Sequence, residues 1–181
     1  MSERTNILVL DDDADILRAA RIALKPHVGH VETGSSPDAL ETLLAARSYD
    51  AVLLDMNFVS GEHSGEAGLD ALARVSEFDS TLSVVLMTAY GGVSLAVEAL
   101  KRGAVDFVLK PWRNDRLVEI VLSAVKKTGE RREAENVDLE TLEKSAIERA
   151  LHRHDGNISL AAAALGLSRA ALYRRLSKHG L

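Results

Sequence analysis

The 181-residue sequence is 46% apolar but only 4% aromatic, so its core must be aliphatic. It has no cysteine, which excludes a disulfide framework and a thiolate metal site and fits a reducing compartment. No stretch approaches the roughly 20 apolar residues of a bilayer span, and the first residues lack the apolar run of a signal peptide, so a cytoplasmic chain with no membrane partner is expected. The net charge of -5 is unevenly spread: residues 1–128 carry 13 basic against 19 acidic side chains, and residues 129–181 carry 9 against 8. Within 156–181 stand Arg169, Arg174, Arg175 and Lys178 with no acidic residue, a basic tip on an acidic body.

The first two-thirds alternates strand and helix signals. Residues 5–10 form a continuous apolar run, as expected of a strand buried on both faces. Residues 14–25 repeat apolar side chains at helical spacing until Pro26 stops them. A short strand fits 27–33, and Ser35 or Ser36 with Pro37 opens a helix through Ala46. A buried strand over 51–54 ends at Asp55. Helices over 68–77, 93–102 and 113–127 then alternate with strands over 82–87 and 105–109. Five βα units in series predict a doubly wound, five-stranded parallel sheet with right-handed crossovers, an α/β flavodoxin-like fold.

In such a sheet, functional residues gather at the carboxyl ends of the strands. Here those ends carry Asp11, Asp12 and Asp13, then Asp55, Thr88 and Lys110. Clustered carboxylates suit Mg2+, which prefers oxygen ligands. A carboxylate can also act as a nucleophile toward phosphorus, with lysine and metal offsetting the charge of the phosphoryl oxygens. Asp13, one place beyond the pair, reads as a helix cap, and the lone Trp112 as a packing residue beside Pro111.

The runs ILVLDDDADILR, AVLLDMN, VVLMTAY and GAVDFVLKPW, in that order, resemble the receiver domain of two-component response regulators over about residues 4–127. The resemblance implies that Asp55 is the phosphoacceptor. It makes Asp12 the direct Mg2+ ligand, Asp11 a ligand acting largely through water, and Asn57 a ligand through its backbone carbonyl. It gives Thr88 and Phe107 the switch roles, Lys110 the charge-neutralising role, and Lys110–Pro111 a cis peptide. The segment after Asp55, MNFVSGEHSGEAGLDAL, departs from the family by its length and by Gly61, Gly65 and Gly68; His63 within it reads as an exposed loop residue. None of the six histidines has a kinase-like context, so the phosphodonor is expected from a sensor histidine kinase or a small acyl phosphate.

Residues 128–137 (TGERREAENV) read as a polar linker or an exposed helical extension. A helix over 139–154 follows, with apolar residues at 139, 142, 146, 147, 150 and 151. Asp155-Gly156-Asn157 is turn chemistry; a second helix runs 158–165 to Gly166; Ser168 caps a third, 169–179. This is helix-turn-helix patterning. Residues 139–181 resemble the C-terminal domain of Fis and of NtrC-type regulators. The resemblance implies binding to double-stranded DNA as a homodimer paired through the 139–154 helix. Ser168, Arg169, Ala171, Tyr173, Arg174 and Arg175 would face the major groove, and Asn157 and Ser159 would face phosphate. Arg169 is the base-reading candidate, because arginine binds guanine bidentately. No GxxxxGK[ST] loop occurs in the sequence, so ATP-driven remodelling is excluded and no enzyme is expected. The expected boundaries are a receiver at 1–127, a linker at 128–137 and a DNA-binding domain at 138–181. Two alternatives stay open at this point. One is a phosphorylation-independent DNA-binding or nucleoid-like regulator. The other is an Asp-nucleophile hydrolase, disfavoured because Asn57 rather than an acid stands two residues after Asp55.

Overall fold

A computed structural model describes residues 5–58, 65–89 and 93–181; most of the distinctive loop after Asp55, with Gly61 and His63, lies outside them. Five parallel strands form one sheet: β1 (Asn6–Leu10), β2 (His30–Gly34), β3 (Ala51–Asp55), β4 (Val84–Thr88) and β5 (Asp106–Leu109), in the order β2-β1-β3-β4-β5. Each central strand reads as an apolar run because both of its faces are covered. Leu8, Leu10, Val52, Leu54 and Leu86 pack into one core with the helices α2 (Leu40–Ala46), α3 (Glu66–Phe78) and α4 (Val93–Lys101). Ile7, Val9, Leu53, Val85 and Met87 point the other way, against α1 (Ala14–Leu24) and α5 (Asn114–Arg153). The period-2 alternation thus divides one hydrophobic strand between two cores.

Local signals set most boundaries. Asp13 caps α1, its side chain accepting from the Asp15 amide at 2.8 Å. Ser36 caps a 3-10 turn, Pro37–Ala39, before α2 begins. β2 starts at His30 rather than at residue 27. His27 is still bonded to the Leu24 carbonyl in the turn after α1, and Gly29 and His30 both donate to Thr5. The third helix starts at Glu66, two residues before the expected start, entered through Gly65 at φ 69.

Of the two readings of residues 128–137, the structure has the helical extension: they belong to α5, which runs for 40 residues without a break. The first unit does not stop at 127. Thr128 is fully buried: its hydroxyl oxygen accepts from the Ser83 amide at 2.9 Å and donates back to the Ala124 carbonyl. The chain divides into two compact units at residues 131 and 132.

In the second unit, Ile147 and Ala150 of α5 pack with Ala161 and Ala162 of α6 (Ile158–Ala164) and Leu172 and Leu176 of α7 (Arg169–His179). The small residues allow close helix approach. Asp155 and Gly156, both at positive φ, make the turn before α6. Leu139 and Leu142, on the apolar face of the helix expected to pair in a homodimer, are 64% and 63% exposed. Among the described residues no helix is long and apolar enough to cross a membrane.

Candidate functional site

The carboxyl ends of β1, β3 and β5 bring three charged side chains together. Asp11 follows β1 and is wholly buried; Asp55 ends β3 and is 4% exposed. Lys110 follows β5 and reaches both, with Nζ 2.5 Å from Asp11 Oδ2 and 2.7 Å from Asp55 Oδ1. The Lys110 backbone amide donates to the Thr88 carbonyl at 2.8 Å, and the Lys110–Pro111 peptide is cis. Asp12, exposed beside the buried pair, completes a set of three carboxylates whose oxygens lie within 4.8 Å of one another.

Burial dominates the electrostatics. It pushes the Asp11 carboxyl up to about 6, against the pull of Lys110 and the Asp13 amide. It also pushes Asp55 up, again against Lys110 and against the Asn57 amide, which donates to Asp55 Oδ2 at 3.1 Å. The same burial opposes the charge on Lys110, but the two carboxylates outweigh it and hold its pKa above the ordinary lysine value. Despite the short ion pair, Asp11 Oδ2 has no aligned hydrogen bond among the described residues. An under-satisfied carboxylate in an all-oxygen cluster fits a hard divalent cation.

Thr88 ends β4, next to β3, and is 3% exposed. Its hydroxyl donates to the Ala89 carbonyl at 3.2 Å rather than into the pocket. Phe107 pairs in register with Leu86 and is half-buried against the α2–α4 core. It also borders a groove of about 340 Å³ with Pro111, Trp112 and Ile120. Asn57 receives the Gly65 amide on Oδ1 at 3.0 Å, which ties the two ends of the loop together. Sequence reasoning took Gly68 as a helix start and as one of three glycines in the segment after Asp55, with no packing role. A Cβ there would lie 2.6 Å from Met56 Cα and 2.8 Å from the Asp55 carbonyl oxygen. Only glycine lets α3 lie against the backbone that carries Asp55.

The second unit presents Arg169, Tyr173 and Arg174 exposed on α7, with Ala171 half-buried. Ser168 caps that helix through the Ala171 amide. Asn157 caps α6, its Oδ1 accepting from both the Ser159 and Leu160 amides. Those two first-turn amides are therefore already occupied. Arg175, expected to face the groove, is half-buried on the helix face that also carries core residues Leu172 and Leu176, with Nε 2.6 Å from Glu143 Oε1. His179 meets the other oxygen of Glu143 at 2.8 Å, and the two partners, His179 first, hold Glu143 below the ordinary carboxylate range. The spacing 172, 175, 176, 179 was the available signal: one helix face holds all four.

Residues 7–122 match the family model described as the response regulator receiver domain. The chain belongs to the response regulator receiver family. Residues 138–179 of this response regulator match a second model, the bacterial regulatory protein, Fis family. The response regulator protein PilR of Pseudomonas aeruginosa is 30% identical over 91% of this chain and 36% of its own. The transcriptional regulatory protein FixJ of Bradyrhizobium diazoefficiens is 32% identical over 70% of this chain and 60% of its own. The response regulator thus spans between about a third and three-fifths of the length of these two relatives. Among solved structures, the N-terminal signal receiver domain of a two-component response regulator from Bacteroides fragilis is 43% identical. It has a TM-score of 0.61 and covers 67% of this chain and 96% of that one. The all-parallel receiver sheet expected from the strand runs is the fold these relatives share.

Proposed function

We propose that this response regulator is a DNA-binding transcriptional regulator switched by phosphorylation of Asp55. The observation that carries the reading is the buried Asp11–Lys110–Asp55 cluster at the strand ends. In the transfer, an Asp55 carboxylate oxygen attacks phosphorus. The P–N bond to a kinase histidine, or the P–O bond of an acyl phosphate, breaks as the new P–O bond forms, and the leaving group keeps the electron pair. The donor is a sensor histidine kinase or a small acyl phosphate.

The chain's own residues prepare that step. Lys110 holds Asp55 Oδ1 and supplies a fixed positive charge for the phosphoryl oxygens. The Asn57 amide orients Asp55 Oδ2. Asp11, Asp12, Asp55 and the Asn57 backbone carbonyl would hold Mg2+, which when bound supplies charge neutralisation at the phosphoryl group. Thr88, on the strand between β3 and β5, is the hydroxyl nearest in topology to read the new group. Phe107 follows it, so the signal passes to the surface of α4, β5 and α5.

The output is binding of double-stranded DNA in the cytoplasm by a homodimer paired through the latter part of α5, where Leu139 and Leu142 are exposed. α7 enters the major groove with Arg169 at base edges and Arg174 toward phosphate. Acetyl phosphate with Mg2+ tests the first half. Wild-type protein should gain one alkali- and hydroxylamine-labile phosphoryl group and Asp55→Asn none; undiminished labelling of the variant would move the acceptor elsewhere.

A further inference from the structure

The cations of α7 fall into two groups. Arg169 and Arg174 are exposed and have no ion pair among the described residues. Arg175 and His179 share the carboxylate of Glu143, at 2.6 and 2.8 Å. Lys178 stands 2.9 Å from Glu140 and 3.8 Å from Glu143. The two groups lie on different sides of the helix. Arg175 and His179 share the inward side with Leu172 and Leu176, and His179 has a side chain only 7% exposed. Glu143 likewise shares the face of α5 that carries buried Ile147 and Ala150, four and seven residues on.

An acidic side chain inside a DNA-binding tip opposes the nucleic acid's charge unless it has another task. We infer that Glu143 is a positioning residue for the recognition helix. Its carboxylate fixes the rotation and tilt of α7 by gripping Arg175 and His179, and this leaves Arg169 and Arg174 as the cations that meet DNA. The inference rests on the DNA-binding reading above and goes beyond it, because it assigns opposite roles to two neighbouring arginines. Arg175, joined to Glu143 on the inward side, is a strut. Arg174, one residue earlier and 100° around the helix, is a phosphate contact.

The two arginines separate by salt dependence, since each phosphate contact contributes about 0.9 to the slope of log affinity against log salt; the slope changes are per protomer and double for a homodimer. The full chain is used to enrich a duplex from a random pool, and binding of that duplex is followed against salt. Arg174→Ala should lower the slope by about 1, and Lys178→Ala by much less. Glu143→Gln removes a negative charge next to DNA, so simple electrostatics requires tighter binding. Positioning requires the reverse, at least about threefold weaker binding by the folded protein at an unchanged slope. Tighter binding with a slope steeper by about 1 would show Arg175 released onto phosphate, and would overturn the inference. So would unchanged affinity alongside lowered stability, the mark of a merely structural contact.

Arg175→Gln answers the same question should Glu143→Gln fail to fold. Weaker binding at an unchanged slope supports the strut; a slope lower by about 1 overturns it. A wild-type chain that enriches no duplex refutes the DNA-binding reading and the inference with it. That result is distinct from the others, because it appears before any substitution is made.

Discussion

Gly68→Ala sets two well-known effects against each other. Helix propensity favours alanine over glycine by up to about 1 kcal/mol in a helix interior, and by less at the third residue of α3. Packing opposes it. The added methyl would sit 2.6 Å from Met56 Cα, 2.8 Å from the Asp55 carbonyl oxygen and 2.9 Å from the Met56 carbonyl oxygen. All three are backbone atoms of a buried strand end, with no flexible side chain to yield. Overpacking costs about 1–3 kcal/mol, and a backbone clash belongs at the upper end. The net expectation is a loss of about 1–2 kcal/mol and a fall in Tm of roughly 3–8 °C. Because relief requires the Asp55–Met56 backbone to move, Mg2+-dependent labelling by acetyl phosphate should slow as well, at temperatures where the variant is folded. Thermal unfolding by circular dichroism, with labelling at 20 °C below the lower midpoint, measures both. An alanine variant as stable as wild type would mean that α3 shifts freely, and the close-approach argument would be wrong.

Two further outcomes follow from the buried polar groups. Thr128→Val should cost about 1–3 kcal/mol in urea unfolding, because the Ser83 amide loses its acceptor in a dry site. Thr128→Ser should recover most of that, and equal losses for the two variants would remove the hydrogen bond as the cause. Asp11 should give the receiver an unusual pH response. Its folded pKa of about 6 lies above the ordinary 3.8, so the folded form holds the proton more tightly than the unfolded chain. Stability from this group is therefore lost as pH rises from 3.8 to about 6, and Mg2+, which needs the ionised form, should recover it above that window. Tm of wild type and Asp11→Asn, with and without Mg2+ at pH 5 and 7.5, separates this group from other carboxylates. A Mg2+-dependent rise in wild-type Tm of equal size at both pH values would contradict it.

Strand ends and pocket were legible because buried parallel strands leave unbroken apolar runs, and each of ILVL, AVLL and VVLM is followed at once by its polar residue. Helix starts with a side-chain cap, at Asp13 and Ser168, were legible for the same local reason. The stretch GERREAEN was harder. It contains good helix formers but no apolar stripe, and a helix continued from the well-packed turns before it needs no stripe of its own. Thr128 was read as the first linker residue because a lone threonine at a helix end does not reveal the strand amide above it. Arg175 was grouped with Arg174 because basic residues near a recognition helix invite one reading; only the periodicity with Leu172 and Leu176 separates the two. Gly68 required knowing what lies behind it, which no local pattern encodes.

Trp112 is the sole indole in the sequence, two residues after Lys110, half-buried against the α1–α5 core and bordering the groove beside Phe107. With no second tryptophan and no cysteine, the chain carries a single indole fluorophore and a blank background for thiol labels. Emission on excitation above the tyrosine band therefore originates one short peptide segment away from the acidic cluster. The receiver thus has an optical reporter of its pocket built into its own sequence.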